Sequence, residues 1–258
     1  MIPTQNNQIS IIDRLRLYID PVDSTWFARL KPASEEQITK LRQFLELDKQ
    51  GLKLPEEYVN FLRYAGEGAG GLFEYTLQAE MSLSSMLSDD DVGLFINKEV
   101  STRPYCFYFM NGEMGVSYVM NLSEREQTIY YSYSKHVVCE GFERLVFLCA
   151  VESYEKYYFR FSQYFAASAS NWRTSKIWKE NKDLYEYVHE VARHFHLQEA
   201  WFNDKRWYFA YSNVMSIVIH GDIVGRGGYH GKLCFNEEKI AKEMQRLLLS
   251  QIGARIHE

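Results

Sequence analysis

Apolar residues recur at helical spacing in two short stretches near the start of the chain, residues 34–45 and 55–66. Such a repeat predicts an amphipathic helix, whose apolar face has to be covered by another part of the fold. The apolar positions are Ile38, Leu41, Phe44 and Leu45 in the first helix and Tyr58, Phe61, Leu62 and Ala65 in the second.

The residues at the ends of these stretches set the limits of both helices. Ser34 and Gln37 stand three apart, which predicts a capping box in which each side chain satisfies a free backbone N–H. Pro55 suits a first helical position, because its ring fixes φ and no N–H is needed there. Gly66 predicts a left-handed cap, and a glycine-rich loop follows it.

From residue 105 the pattern changes to short segments of β-branched and aromatic residues, which predict strands. Residues 105–109 and 116–120 predict a hairpin with Asn111 and Gly112 in its turn. Two helices followed by antiparallel strands and a closing helix predict an α+β fold, with N-terminal helices packed on a curved, mainly antiparallel sheet. The other elements predicted in this part are a strand at 128–133 and helices at 11–19, 82–87 and 141–148.

The last third of the chain predicts a smaller set of the same elements, an α-β-β-α extension. Small and polar residues at 166–170 are typical of a linker, so we predict a first domain over residues 1–165 and an extension or small second domain over 166–258. The predicted elements are a helix at 183–197, strands at 205–211, 214–220 and 232–235, and a helix at 240–252 with Asn236 as its N-cap and Gly253 at its end.

The composition, with 46% apolar and 24% charged residues, is typical of a globular protein. No apolar run approaches the roughly 18 residues of a membrane span, and no secretory signal is visible, so we expect a cytoplasmic protein. The cysteines lie in apolar segments without Cys-x-x-Cys spacing, which predicts reduced core residues. They are Cys106, Cys139, Cys149 and Cys234.

Charge is divided unevenly along the chain. Residues 1–150 hold 21 acidic and 14 basic residues, a net charge of −7, whereas residues 151–258 hold 13 and 15, a net charge of +2. Nucleic acid requires a clustered basic surface, so we expect no direct binding of nucleic acid. An acidic half suits a basic protein partner.

Few residues predict catalytic or metal chemistry. His189, His194 and His196 are not spaced to share one helical face, so we expect surface histidines and no metal. The glycine-rich segment between His220 and His230 lacks the ending of a phosphate-binding loop, which favours a long hairpin loop. The chain has no Gly-x-Ser-x-Gly elbow. We therefore expect no catalytic residue and no cofactor.

Several short motifs in the first half together resemble the SMI1/KNR4 family, also called SUKH. Their order and spacing carry the resemblance, which covers roughly the first 150 residues. The motifs are Trp26, then Pro32-Ala33-Ser34-Glu35-Glu36-Gln37-Ile38, then Leu54-Pro55-Glu56-Glu57-Tyr58, Phe61-Leu62 and the glycine-rich exit.

The resemblance implies a SUKH-like fold and a non-catalytic binding protein. Bacterial members of the family resemble cytoplasmic immunity proteins that neutralise a polymorphic or contact-dependent toxin, often a nuclease, in bacterial competition. The expected partner is therefore a cognate toxin domain, which we expect to be basic. One alternative is a regulatory scaffold or adaptor like the fungal members; another is an enzyme whose site lies near His220 and His230.

On the toxin-binding interpretation, acidic residues of the loops around the sheet would meet the basic toxin, with aromatic anchors at the centre of the contact. No motif of the family singles these residues out. The predicted toxin-binding residues are Asp89, Asp90, Asp91, Glu99, Glu113, Glu124 and Glu126, with Tyr108 and Tyr118 as anchors.

Overall fold

The chain forms two compact units, Ile2–Tyr154 and Glu155–Glu258, which we call the N-terminal and C-terminal units. A computed structural model of the chain provides the structure. It describes residues 9–88, 105–112, 117–124, 127–132, 137–180, 183–204, 206–221 and 228–257. No described helix is long and apolar enough to cross a membrane.

The N-terminal unit packs helices against a five-stranded antiparallel sheet of order β3-β4-β5-β6-β7. This confirms the predicted α+β fold. Its helices are α1 (Ile11–Ile19), α2 (Glu35–Phe44), α3 (Leu47–Gln50), α4 (Glu56–Ala65), α5 (Glu74–Leu77), α6 (Leu83–Ser88) and α7 (Phe142–Tyr154). Its strands are β1 (Leu30–Lys31), β2 (Gly68–Ala69), β3 (Ala79–Glu80), β4 (Cys106–Gly112), β5 (Ser117–Asn121), β6 (Thr128–Tyr131) and β7 (Val137–Glu140).

Aromatic rings hold the helices on the sheet. Tyr58 of α4 is fully buried and meets the rings of Phe107, Phe109 and Phe142 edge-on, with centroid separations of 5.0–6.0 Å. Phe107 and Phe109 both reach this core because residues two apart in a strand point to the same face of the sheet. We call this side of the sheet the helix face.

The predicted start of α2 is confirmed. Ser34 accepts a hydrogen bond from the Gln37 backbone N–H at 3.2 Å, and the Gln37 side-chain oxygen accepts one from the Ser34 N–H at 2.7 Å. The Gln37 amide nitrogen also donates to Glu67 at 2.7 Å. Glu67 lies in the glycine-rich loop and accepts from the backbone N–H of Ser84 at 2.8 Å, in the first turn of α6. One carboxylate therefore joins the starts of α2 and α6.

The predicted left-handed cap at Gly66 is wrong, because Gly66 has a right-handed φ of −69°. Glycine is needed there for space: an added Cβ would lie 2.5 Å from the Cβ of Ala33 and 2.7 Å from the Leu62 carbonyl oxygen. The helix ends because the next N–H, that of Glu67, donates to the Lys31 carbonyl at 2.8 Å. Glycine is therefore required at position 66 because there is no room for a side chain. Its φ alone would allow another residue.

The predicted turn at Asn111 and Gly112 is also wrong. Both residues lie in β4, where Asn111 pairs with Ser117 of β5 and with Glu80 of β3. The strand partners on both sides outweigh the turn preference of the Asn-Gly pair. The connection from β4 to β5 falls on residues 113–116, outside the described part of the chain.

The C-terminal unit packs helices on a six-stranded antiparallel sheet of order β13-β8-β12-β11-β10-β9. The apolar residues of α10 and α11 form one core with the sheet face that carries Phe165, Ile217 and Leu233. The helices are α8 (Ala169–Thr174), α9 (Lys176–Lys179), α10 (Leu184–His194) and α11 (Glu238–Ile252). The strands are β8 (Phe161–Ala167), β9 (Gln198–Glu199), β10 (Trp207–Tyr211), β11 (Met215–Gly221), β12 (Tyr229–Phe235) and β13 (Arg255–His257).

Two local predictions for this unit are wrong. Residues 166–170 are not a linker, because Ala166 and Ala167 pair with His230 and Tyr229 inside the sheet and α8 follows. The compact units accordingly divide after Tyr154 rather than after residue 165. Asn236 does not cap α11: its side-chain oxygen accepts from the Arg160 N–H at 2.9 Å, and Glu237 takes the N-cap position.

A buried ion pair lies on the opposite face of the C-terminal sheet. The Lys232 ammonium nitrogen is 2.9 Å from a Glu155 carboxylate oxygen, and the two side chains are 2% and 1% exposed. The Ser216 hydroxyl donates to the other oxygen of Glu155. Removing two charges from water is costly, so each charge depends on the other.

Candidate functional site

The outer face of the N-terminal sheet, opposite the helix face, carries a row of neighbouring side chains across four strands. Tyr108 pairs with Val119, Val119 with Tyr130, and Tyr130 with Val137. Tyr108 and Tyr130 are 9% and 6% exposed and share a small cluster with Cys106 and Val119, against which Phe44 of α2 packs. The predicted anchor Tyr108 therefore lies at the β4 end of this row, where burial raises its pKa.

Glu124 extends this cluster at one end of the sheet. Both of its carboxylate oxygens lie 3.1 Å from the Tyr130 hydroxyl, which donates to them, and one accepts from the Asn121 amide at 2.9 Å. Asn121 in turn accepts from the backbone N–H and hydroxyl of Ser123. The structure thus brings the predicted acid Glu124 beside the row that contains the predicted anchor Tyr108. Tyr130, which the sequence analysis did not select, connects them.

Tyr118, the second predicted anchor, lies on the other side of the sheet. It pairs with Met110 and Tyr131, is 3% exposed, and donates from its hydroxyl to the Leu77 carbonyl at 2.8 Å. Its contacts hold α5 against the sheet. The structure does not bring Tyr118 together with Tyr108 and Glu124.

The remaining predicted toxin-binding residues lie outside the described part of the chain. The strands themselves are described, and their pairing shows which strand ends lie together at each end of the sheet. Cys106 begins β4, Asn121 ends β5 and Thr128 begins β6, all at the end where Glu124 lies. The residues outside the described ranges are Asp89, Asp90, Asp91, Glu99, Glu113 and Glu126.

The N-terminal unit carries the acidic excess of the chain. Residues 2–154 hold 22 acidic and 14 basic residues, a net charge of −8, and residues 155–258 hold 12 and 15, a net charge of +3. Several exposed acids are paired within the unit, such as Glu35 with Arg63 at 2.6 Å and Asp23 with Arg29 at 2.6 Å. The Arg29 hydrogen bond is the main reason that the pKa of Asp23 lies well below its usual range.

Comparison with protein families gives a match within the N-terminal unit. Residues 32–150 match the SMI1 / KNR4 family (SUKH-1). The match confirms the resemblance predicted from the sequence, and it covers the chain from just before α2 to within α7. The SMI1/KNR4 family includes immunity proteins. Neither the comparison with curated proteins nor that with solved structures gives a significant match.

The histidines of the C-terminal unit lie outside the SMI1/KNR4 match. His220 and His230 are cross-strand neighbours with ring centroids 4.5 Å apart, and Trp207 packs on His220. Within the described ranges, no group of three or more His, Cys, Asp and Glu residues could hold a metal ion. Residues 222–227 of the predicted hairpin loop are outside these ranges.

Proposed function

We propose that this protein is a cytoplasmic immunity protein that binds a cognate bacterial toxin domain and neutralises it without catalysis. The observation that carries the proposal is the SMI1/KNR4 match over residues 32–150, since that family includes immunity proteins. The toxin is a polymorphic or contact-dependent one, and a nuclease domain fits best because such domains are commonly basic. The net charge of −8 on the N-terminal unit supports this choice, since opposite charge speeds encounter.

The proposed interface is the end of the N-terminal sheet at which β4 begins and β5 ends. Glu124 is one of the described acids at this end, and the Tyr130 and Asn121 side chains hold its carboxylate in place. A carboxylate held in this way binds an arginine or lysine of the partner with little further loss of side-chain entropy. The predicted acids outside the described residues keep the proposed toxin-binding role, with Tyr108 as the proposed anchor.

Co-expression tests the proposed function. Cells that express the toxin domain encoded next to this gene should survive when they also express the full chain, and the chain should co-purify with that toxin domain. Expression of an unrelated toxin of the same activity provides the control, because an immunity protein protects against its cognate toxin alone. Lack of both protection and co-purification would contradict the proposal.

A further inference from the structure

An open cleft of about 580 Å³ lies in the C-terminal unit, outside the SMI1/KNR4 match. One wall of the cleft is a single face of α10. Its lining residues, 185, 189 and 193 and also 186 and 190, are four positions apart and therefore lie on the same side of the helix. The other wall is the edge of the sheet, formed by Glu199 of β9, the turn at Asn203 and Asp204, and Tyr208 of β10.

Two buried acceptor groups in this cleft lack a donor. Tyr208 is 4% exposed and its hydroxyl donates toward Glu199, but within the described part of the chain no group donates to the hydroxyl oxygen. One Asp204 oxygen accepts from the N–H groups of Arg206 and Trp207 at 2.7 and 2.9 Å, but its other oxygen is buried and accepts from no described group. A buried polar group without a partner is costly, so such groups mark places where a ligand can bind.

The charged side chains that line the cleft indicate which kind of ligand it can bind. The carboxylates of Glu199 and Asp204 lie with Tyr208 in the deeper part of the cleft, and Glu199 contacts the His189 imidazole. Burial raises the pKa of Tyr208, and the Glu199 charge raises it further, so the hydroxyl stays protonated. Arg193 is exposed at the rim, and so are the acids Glu186 and Glu190. The lining therefore has four carboxylates against one guanidinium and one imidazole.

We propose that this cleft binds an organic cation through its ammonium or guanidinium group. The N–H donors of the cation would bond to the free Asp204 oxygen and to the Tyr208 oxygen, with the Glu199 charge nearby. The cation can be a free amine or a basic side chain of another protein, and both carry the same group. The proposal does not depend on the proposed function, because the cleft lies in the other unit of the chain.

Titration calorimetry on the full chain tests the proposal with three probes. Agmatine represents a free cation, the peptide acetyl-Gly-Arg-Gly-amide represents a side chain, and succinate is the anionic control. Saturable binding of agmatine, of the peptide, or of both supports the proposal, and the tighter probe identifies the source of the cation. No saturable binding of either cation up to about 10 mM, or equally tight binding of succinate, would overturn it.

Matched variants locate the binding. Asp204→Asn retains the oxygen that accepts from the backbone and removes the charge, so cation affinity should fall by about tenfold. Tyr208→Phe removes only the hydroxyl and should lower the affinity by about threefold. Glu243→Gln, an exposed acid of α11 outside the cleft, should leave it unchanged. If the folded Asp204→Asn and Tyr208→Phe proteins both bind the cation as tightly as the unchanged chain, the assignment of the site is wrong.

Discussion

Gln37 and Glu67 are joined by a hydrogen bond of 2.7 Å, although 30 residues separate them in the chain. Gln37 caps α2 with its oxygen and reaches Glu67 with its nitrogen, while Glu67 caps α6. We expect Glu67→Ala to lower the free energy of unfolding of the N-terminal unit by about 1–3 kcal/mol, because several donors lose one acceptor. Urea unfolding measures this change. Glu80→Ala, an exposed acid of β3, is the control and should change stability by less than about 0.5 kcal/mol.

Glycine is required for a different reason at each of two positions. At Gly66 the reason is steric, and at Gly51 it is the backbone conformation. At Gly66 an added methyl group would meet Ala33 and the Leu62 carbonyl, so Gly66→Ala should cost about 1–3 kcal/mol despite its ordinary φ. At Gly51 nothing lies within 4 Å of an added Cβ, but φ is +67°, so Gly51→Ala should cost only about 1 kcal/mol. Thermal or urea unfolding of both variants checks the order. A smaller loss for Gly66→Ala would contradict the steric account.

The Asp23–Arg29 pair should contribute stability that depends on pH. Arg29 lowers the pKa of Asp23 in the folded chain, so the contribution is present above the unfolded pKa of about 4 and is lost as pH falls below it. Asp23→Asn should therefore destabilise the chain at pH 7, by about 1 kcal/mol at most because the Arg29 side chain is 44% exposed. Unfolding curves at pH 7 and pH 3 test this, since the difference between the two proteins should shrink at pH 3.

The buried pair of Lys232 and Glu155 should respond differently to single and double substitution. Lys232→Met leaves an uncompensated buried carboxylate, which we expect to cost about 3–5 kcal/mol. Glu155→Leu together with Lys232→Met should recover most of this loss, because no buried charge remains. Urea unfolding of the C-terminal unit measures both changes. If the double variant is as unstable as Lys232→Met, the loss does not come from the unpaired charge.

The proposed interface predicts that Glu124 is sensitive to charge. Glu124→Lys should weaken toxin binding by at least about tenfold, since an attractive charge becomes a repulsive one. Glu36→Lys makes the same charge change at the exposed start of α2, outside the group formed by Glu124, Tyr130 and Asn121, and should have a much smaller effect. Binding of both variants to the cognate toxin domain can be compared by calorimetry. Equal weakening by both would indicate a general effect of net charge and would contradict the assignment of Glu124.

Local signals in the sequence predicted much of the fold. The capping pair Ser34 and Gln37, the apolar repeat of residues 11–19 and Gly253 as the C-cap of α11 all lie where the pattern placed them. These features depend on residues close together in the chain. The outcome at Gly66 and at Asn111 depends on partners distant in the chain, Ala33 and Glu80, which no local pattern reveals.

The candidate site was less predictable for the same reason. Tyr108 and Tyr118 look alike in sequence, but Tyr108 pairs with Val119, the residue next to Tyr118 in β5, so the strand register places the two tyrosines on opposite faces of the sheet. The cleft residues Tyr185 and His189 share a helical face, which the sequence does show, whereas Glu199, Asp204 and Tyr208 join them only through the fold. The boundary after Tyr154 was obscured because β8 pairs with strands far later in the chain.

The strand order of the C-terminal sheet has a consequence for synthesis on the ribosome. Strand β8 is the first strand of its sheet to be made, and its two neighbours, β12 and β13, are the last. The emerging chain must therefore keep Phe161–Ala167 unpaired until Tyr229–Phe235 has left the exit tunnel, whereas β4 to β7 can pair one after another. A ribosome stalled near residue 200 should present a folded N-terminal unit joined to a strand that a chaperone has to protect.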